Sequence, residues 1–250
     1  MRVGSLFSGI GGIELGLERA GFETAWFCEV EPYACAVLKK NWPGIPNIGD
    51  ITAVDWRTVE RVDVLTGGFP CQDISIAGKR RGITGERSGL WKEYLRAIRH
   101  LRPRFIIVEN VARLLRSGIW VVLEDLAKEG YDAEWRVFRA QDFGAPHKRE
   151  RCFIIAYPHE ERRDDGSYLQ LVDEVCANQE WELEKNIQSR RERQRWLNEV
   201  CQADDGTISK ADFCGVDDGF PEGLYRISLC GNAVVPQIAE AIGKAIRGVE

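Results

Sequence analysis

Four groups of residues in this 250-residue chain have the types and spacing of reactive sites. The first centres on Cys71 in Gly67-Gly68-Phe69-Pro70-Cys71-Gln72. Two glycines and a proline force a sharp turn, and Lys79, Arg80 and Arg81 follow closely, surroundings that favour a thiolate. An unpaired cysteine is more often a small buried hydrophobe. A cysteine that follows proline in a glycine-rich loop reads better as a nucleophile. The second group is Val108-Glu109-Asn110-Val111, a carboxyl at the end of an apolar run. Such a Glu can merely cap a helix. Beside Cys71 it could hold a proton on a pyrimidine ring nitrogen and activate that ring for thiolate attack.

The third group is Gly144-Ala145-Pro146-His147-Lys148-Arg149-Glu150-Arg151, a turn leading into alternating basic residues. Period two puts Arg149 and Arg151 on one face of a strand, which suits recognition of an oxygen or a phosphate. A solvated basic edge strand gives the same pattern. The fourth is Phe7-Ser8-Gly9-Ile10-Gly11-Gly12, with Glu29 and Asp50 after it. The glycines allow a tight turn and close approach of backbone to a ligand, and a helix start there presents free N–H groups. Glu29 ends the next strand, where a carboxylate can take two ribose hydroxyls. Asp50, in Gly49-Asp50-Ile51, offers a second carboxylate near the adenine end of a nucleoside. A glycine turn alone can simply pack a helix on a strand. The ordered series is harder to explain that way.

These groups need a scaffold that sets them along one edge. Short β-rich runs alternate with helical spacing in the first half: strands at 2–7, 24–28, 62–66 and 105–109, helices at 13–20, 33–41, 90–101 and 119–129. That alternation predicts a parallel sheet flanked by helices, with the reactive groups at its carboxyl edge. Residues 134–140 and 152–157 complete the sheet as an antiparallel pair. After Pro158 the pattern breaks into a polar, turn-rich stretch, a charged helical stretch at 169–198, and an Asp- and Gly-rich stretch at 204–223. Helical periodicity returns at 236–246.

Composition narrows the class. A hydrophobic fraction of 44% and a charged fraction of 29% fit a soluble globular protein, and no run reaches the roughly 18 apolar residues of a membrane span. The first twelve residues lack the pattern of a secretory signal. Eight cysteines without any CxxC pair argue against a structural zinc site. The expectation is a monomeric cytoplasmic protein with no metal and no membrane partner. The net charge of −5 is unevenly spread. Residues 61–158 carry 18 Lys and Arg against 12 Asp and Glu, a net of +6, while 159–228 carry 9 against 17, a net of −8. The positive excess lies with the reactive groups, where a phosphate backbone would run.

In order, the segments LFSGIGGIELGL, CEVEPYACAVLKKNWP, GDI, GGFPCQDISIAGKRRG, GERSGLWKE, ENV, GAPHKRERCFIIA and GNAVVPQIAEAIGKAI resemble the cytosine carbon-5 DNA methyltransferase family. The stretch VDDGFPEGLYRISLCGNAVVPQ is similar to a compact bacteriophage and prophage subgroup. The resemblance spans residues 3–157 and 229–247. It implies a Rossmann-like, class I S-adenosyl-L-methionine-dependent methyltransferase fold, with a catalytic and cofactor-binding domain at 1–158 plus 229–250 and a short target-recognition region at 159–228. It further implies that Phe7, Gly9, Gly11, Glu29, Asp50, Leu90 and Asn232 hold S-adenosyl-L-methionine. Cys71 matches the nucleophile, Glu109 the ring-protonating acid, and Arg149 and Arg151 the arginines shaping the pocket. Residues 72–89 match the mobile loop that closes over a flipped base, with Ser75, Lys79, Arg80 and Arg81 as contacts to double-stranded DNA. Two positions depart from the family pattern: Ser5 stands where an acidic residue is usual, and His147 where a Gln is usual.

The function so implied is transfer of a methyl group to carbon 5 of a flipped cytosine in DNA through a covalent Cys71 adduct. An RNA (tRNA) cytosine-5 methyltransferase would use the same chemistry, and a catalytically silent DNA-binding relative would keep the fold. A nicotinamide-dependent dehydrogenase is suggested only by the glycine turn. It lacks the full GxGxxG spacing and leaves Pro70-Cys71-Gln72 unexplained.

Overall fold

The computed structural model describes residues 1–70, 89–143, 149–163, 166–178 and 234–248. Six strands form one sheet: β1 (Arg2–Leu6), β2 (Glu23–Cys28), β3 (Val64–Gly67), β4 (Phe105–Val111), β5 (Tyr131–Arg139) and β6 (Glu150–Pro158). Their spatial order is β2-β1-β3-β4-β6-β5. The first four are parallel, while β6 runs antiparallel to β4 and β5 antiparallel to β6. This is the predicted mixed sheet, with the antiparallel pair starting earlier than its apolar pattern suggested. The basic residues at the head of β6 are not on an edge strand, because β6 lies between β4 and β5.

Seven described helices accompany it: α1 (Gly12–Arg19), α2 (Pro32–Asn41), α3 (Gly89–Leu101), α4 (Leu114–Ser117), α5 (Ile119–Lys128), α6 (Tyr168–Asn178) and α7 (Pro236–Arg247). Local chemistry explains several ends. Glu31 accepts a hydrogen bond from Ala34 N at 2.6 Å. Pro32 sits at the first turn of α2, and Lys39 and Lys40 close it, a polarity that suits the helix dipole. In α3, Trp91, Tyr94, Leu95, Ile98 and Leu101 are buried, the one-sided spacing of a helix laid on a sheet.

Alternate strand residues divide between two cores, as a period of two requires. Leu6, Leu65 and Ile106 join Trp91, Tyr94, Ile98 and Leu126 on one face. Val3, Val64 and Ile107 join Leu17, Val172, Ile238 and Ile242 on the other. Strands buried on both faces read as continuous apolar runs, which is why β3 and β4 were legible. The second core includes Tyr168, Leu169 and Val172 of α6, a helix within the span 159–228. Its first turn is capped by Glu134 of β5, which accepts from Tyr168 N at 3.2 Å and Leu169 N at 3.1 Å. Glu134 also accepts from the Tyr157 hydroxyl at 2.7 Å. Arg136 pairs with Asp173. The expected helical stretch 179–198 and the 204–223 stretch lie outside the described residues.

Candidate active site

The carboxyl ends of β1, β2, β3 and β4 collect most of the sequence-predicted residues that the structure describes. After β1 the backbone turns through Phe7 (φ 52°), Gly9 (φ 54°) and Gly11 (φ 82°) before α1 begins. Phe7 holds a left-handed conformation that costs a bulky residue on the order of 1–2 kcal/mol; its N–H donates to Cys28 O at 2.9 Å, and its ring lies 6.5 Å from that of Tyr94. Strain of this kind persists where surrounding structure imposes it, commonly at binding sites. The two glycines have different reasons. A side chain on Gly11 would strike Trp42, whereas one on Gly9 would project into space with no atom within 4 Å. Gly9 therefore leaves a cradle open on the outside of the turn.

Glu29 closes that turn from β2. Its Oε2 accepts from Gly9 N at 2.7 Å, and its Oε1 accepts from Val30 N at 2.9 Å and Glu31 N at 2.8 Å. A carboxylate has about four acceptor directions, so capacity remains for a ribose hydroxyl. Between β2 and Asp50 the backbone makes one isolated bridge, from Phe27 to Asn47. Asn47 does the positioning: its amide accepts from Glu29 N and donates to Glu29 O, each at 3.0 Å. Asp50 is exposed, and the backbone N–H and hydroxyl of Thr52 hold its carboxyl below the usual range. Leu90 lies in the first turn of α3, half-buried against the first core.

The second half of the site surrounds Glu109. Register pairs Glu109 with Phe153 and Val111 with Arg151 across β4 and β6. Both charged side chains are largely buried, and Arg151 Nε stands 2.8 Å from Glu109 Oε1. This close ion pair draws the carboxyl toward its charged form. Burial pushes the Glu109 carboxyl up to about 6, against the opposing pull of Arg151 and Arg149. Arg149 itself precedes β6 with φ 22°. It reaches Glu109 by this irregular backbone and not by the strand alternation expected for 149 and 151.

Gly68 fixes how close the β3 turn comes to Glu109, since a Cβ there would stand 2.7 Å from Glu109 Oε2. Asn110 secures the same approach by donating from Nδ2 to Phe69 O at 3.0 Å. Phe69 in turn lies 5.2 Å from Trp91, and Trp91 5.4 Å from Tyr94. The segment leading to Cys71 is thus pinned beside Glu109 as far as Pro70. Cys71, Ser75, Lys79, Arg80, Arg81, His147 and Asn232 lie outside the described residues. Val234 shows where the C-terminal segment enters: its carbonyl would be 2.7 Å from a Cβ on Gly12. Asn47 and Asn110 were missed as positioning residues by sequence reasoning. The available signal was a polar residue at the end of an apolar strand, which Asn110 shares with many caps.

The sequence profile of C-5 cytosine-specific DNA methylases matches residues 1–215. The type II methyltransferase M2.BsuMI of Bacillus subtilis is 42% identical over 172 residues, covering 66% of this chain and 44% of that one. The type II methyltransferase M.NgoFVII of Neisseria gonorrhoeae is 37% identical over 157 residues, covering 60% and 42%. The chain thus spans about half the length of such relatives, or less. A structure described as a DNA modification methyltransferase encoded within an Escherichia coli prophage aligns over 99% of both chains, with a TM-score of 0.64 and 19% identity. The Dnmt2 methyltransferase of S. pombe aligns over 72% of this chain and 56% of its own, with a TM-score of 0.57 and 21% identity. These likenesses give the same Rossmann-like fold. On the match over residues 1–215, this chain belongs to the C-5 cytosine-specific DNA methylase family.

Proposed function

We propose that this protein is a DNA (cytosine-5-)-methyltransferase acting on double-stranded DNA in the cytoplasm of a bacterial cell or phage-infected host. The observation that carries the reading is Glu109: a buried carboxyl pushed up to about 6 although Arg151 Nε stands 2.8 Å away, beside the turn that leads to Cys71. Such a group can carry a proton near neutral pH and give it to a ring nitrogen.

The family uses S-adenosyl-L-methionine, and the open cradle at Gly9 together with the fixed Glu29 carboxylate fits that molecule. Glu29 would hold the ribose, Asp50 the adenine amino group, and Phe7 the adenine face, with Gly9, Gly11, Leu90 and Asn232 completing the enclosure. When bound, S-adenosyl-L-methionine supplies an electrophilic methyl group on a sulfonium sulfur, which carbon 5 of cytosine takes once the ring is activated.

The chain's own residues would activate the ring. Cys71 thiolate forms a bond to carbon 6 while Glu109 delivers a proton to ring nitrogen 3, and the displaced electron pair makes carbon 5 enamine-like. Arg151 holds the base carbonyl, and Arg149 helps shape the pocket. After methyl transfer a base removes the carbon-5 proton, the bond to Cys71 breaks, and the proton on nitrogen 3 returns to Glu109. A base inside a duplex is beyond reach of Cys71, so the nucleotide is flipped out, at a cost of a few kcal/mol. Residues 72–89 close over it, with Ser75, Lys79, Arg80 and Arg81 on the DNA, and 159–228 select the target.

The test is covalent trapping. Duplex DNA carrying 5-fluorocytosine at the target should form a stable adduct with the wild type and none with Cys71→Ser, while both bind S-adenosyl-L-homocysteine alike. An adduct with Cys71→Ser would assign the nucleophile elsewhere, and methylation of tRNA in place of duplex DNA would overturn the substrate.

A further inference from the structure

A buried polar chain that no step above uses joins the cofactor turn to the β3 turn. Glu14, the third residue of α1, is 1% exposed. Thr66 Oγ1, on the residue before Gly67, donates to Glu14 Oε1 at 3.0 Å. The Ser5 hydroxyl donates to Ser8 Oγ at 2.8 Å, and its nearness to the same carboxyl offsets part of the upward push of burial. Ser8 Oγ donates to Ser5 O at 3.2 Å and accepts from Cys28 N at 3.3 Å. The links run from β3, through α1 and β1, into the turn that holds Gly9, and end on β2 one residue before Glu29. They touch β1, β2, β3 and α1, the elements around the Gly9 turn.

Glu14 is poorly compensated as a purely structural residue. Its Oε2 makes no hydrogen bond among the described residues, and Glu18 adds a second negative charge. Burial pushes the carboxyl up, toward its neutral form. An acidic side chain in the first turn does favour the helix dipole, but it would do so equally well in solvent. An apolar side chain would fill this inward position without desolvating a carboxyl. Buried polar groups are costly when half-satisfied, and when kept they fix one arrangement of the elements they join.

We propose that Glu14 is a positioning residue: bonded to Thr66 on one side and set against Ser5, which bonds Ser8, on the other, it fixes the spacing between the turn that holds the methyl donor and the strand that leads to Cys71. The proposal rests on the methyltransferase reading above.

The test is a double-mutant cycle in the full chain, with S-adenosyl-L-homocysteine affinity measured by calorimetry and fold checked by thermal unfolding. Glu14→Leu should raise Kd about tenfold, the equivalent of one missing buried hydrogen bond. Thr66→Val should raise it severalfold although Thr66 belongs to β3, and the double variant should bind little more weakly than Glu14→Leu. Glu14→Gln should stay within about twofold, because an amide keeps the side chain's shape and an oxygen acceptor for Thr66. Single-turnover methylation at saturating cofactor should fall further than affinity in Glu14→Leu, since small displacements between reactants cost rate steeply. Additive effects, an unchanged Glu14→Leu, or a Glu14→Gln as impaired as Glu14→Leu would each overturn the proposal. If Glu14→Leu does not fold, Thr66→Val, Ser5→Ala and their double variant decide by the same criterion. A wild type that binds S-adenosyl-L-homocysteine but methylates no duplex DNA would overturn the substrate reading and leave the binding cycle decisive for Glu14. One that binds none would overturn both.

Discussion

Replacing Glu109 by glutamine removes one titrating proton and keeps the side chain's shape. In the fold the carboxyl is raised from 4.5 to about 6, chiefly by burial. That offset corresponds to about 2 kcal/mol of linkage free energy. The sign follows from which state binds the proton more tightly. Here the folded state does, so the contribution is fully present below about pH 4.5 and is lost as pH rises through about 6. An amide does not titrate there. The unfolding free energy of Glu109→Gln should therefore gain about 2 kcal/mol on that of the wild type between roughly pH 4 and pH 7. Urea unfolding followed by tryptophan fluorescence at closely spaced pH values reads this directly. The same variant should lower the single-turnover methylation rate by about 10²-fold or more, the scale of general acid catalysis, with little change in DNA affinity. Parallel pH–stability curves would refute the raised carboxyl. An unchanged single-turnover rate would remove Glu109 from the mechanism.

Three further outcomes follow from particular residues. Gly68→Ala would set a Cβ 2.7 Å from Glu109 Oε2 and should lower the methylation rate on the order of tenfold by moving the carboxyl; a full rate would mean that turn has room to give. Glu29→Ala strips the acceptor from three backbone N–H groups at Gly9, Val30 and Glu31. It should weaken S-adenosyl-L-homocysteine binding by about tenfold or more, and calorimetry showing wild-type affinity would release Glu29 from the cofactor. Arg190, Arg191, Arg193 and Arg195 form a dense basic cluster within the otherwise acidic stretch 159–228; replacing them by Ala should weaken DNA binding and lower its salt slope by about one for each phosphate left without its arginine, with cofactor binding unaltered, and a wild-type slope would leave DNA held by the basic segment around Cys71.

The residues of the site were legible because each lies at a local signal. Glycines mark the turn after β1, Gly67-Gly68 and Pro70 mark the turn after β3, and apolar runs lead to Glu29, just past β2, and to Glu109, two residues short of the end of β4. Backbone sterics and hydrophobic period act over a few residues, so one stretch of sequence suffices to read them. What the carboxyl at 109 does could not be read that way. Its raised proton affinity arises from burial against opposing arginines 40 and 42 residues further on, Arg149 and Arg151. Its closeness to the β3 turn depends on Gly68 and on Asn110 reaching the Phe69 carbonyl. Likewise, an alternating basic run fits an edge strand as well as an interior one, and only the pairing of β6 with both β4 and β5 makes it interior. Desolvation and electrostatic coupling depend on distance in space. The sequence by itself therefore determined which groups stand at the carboxyl edge, and the tertiary structure decided which of them share a buried environment and so change each other's chemistry.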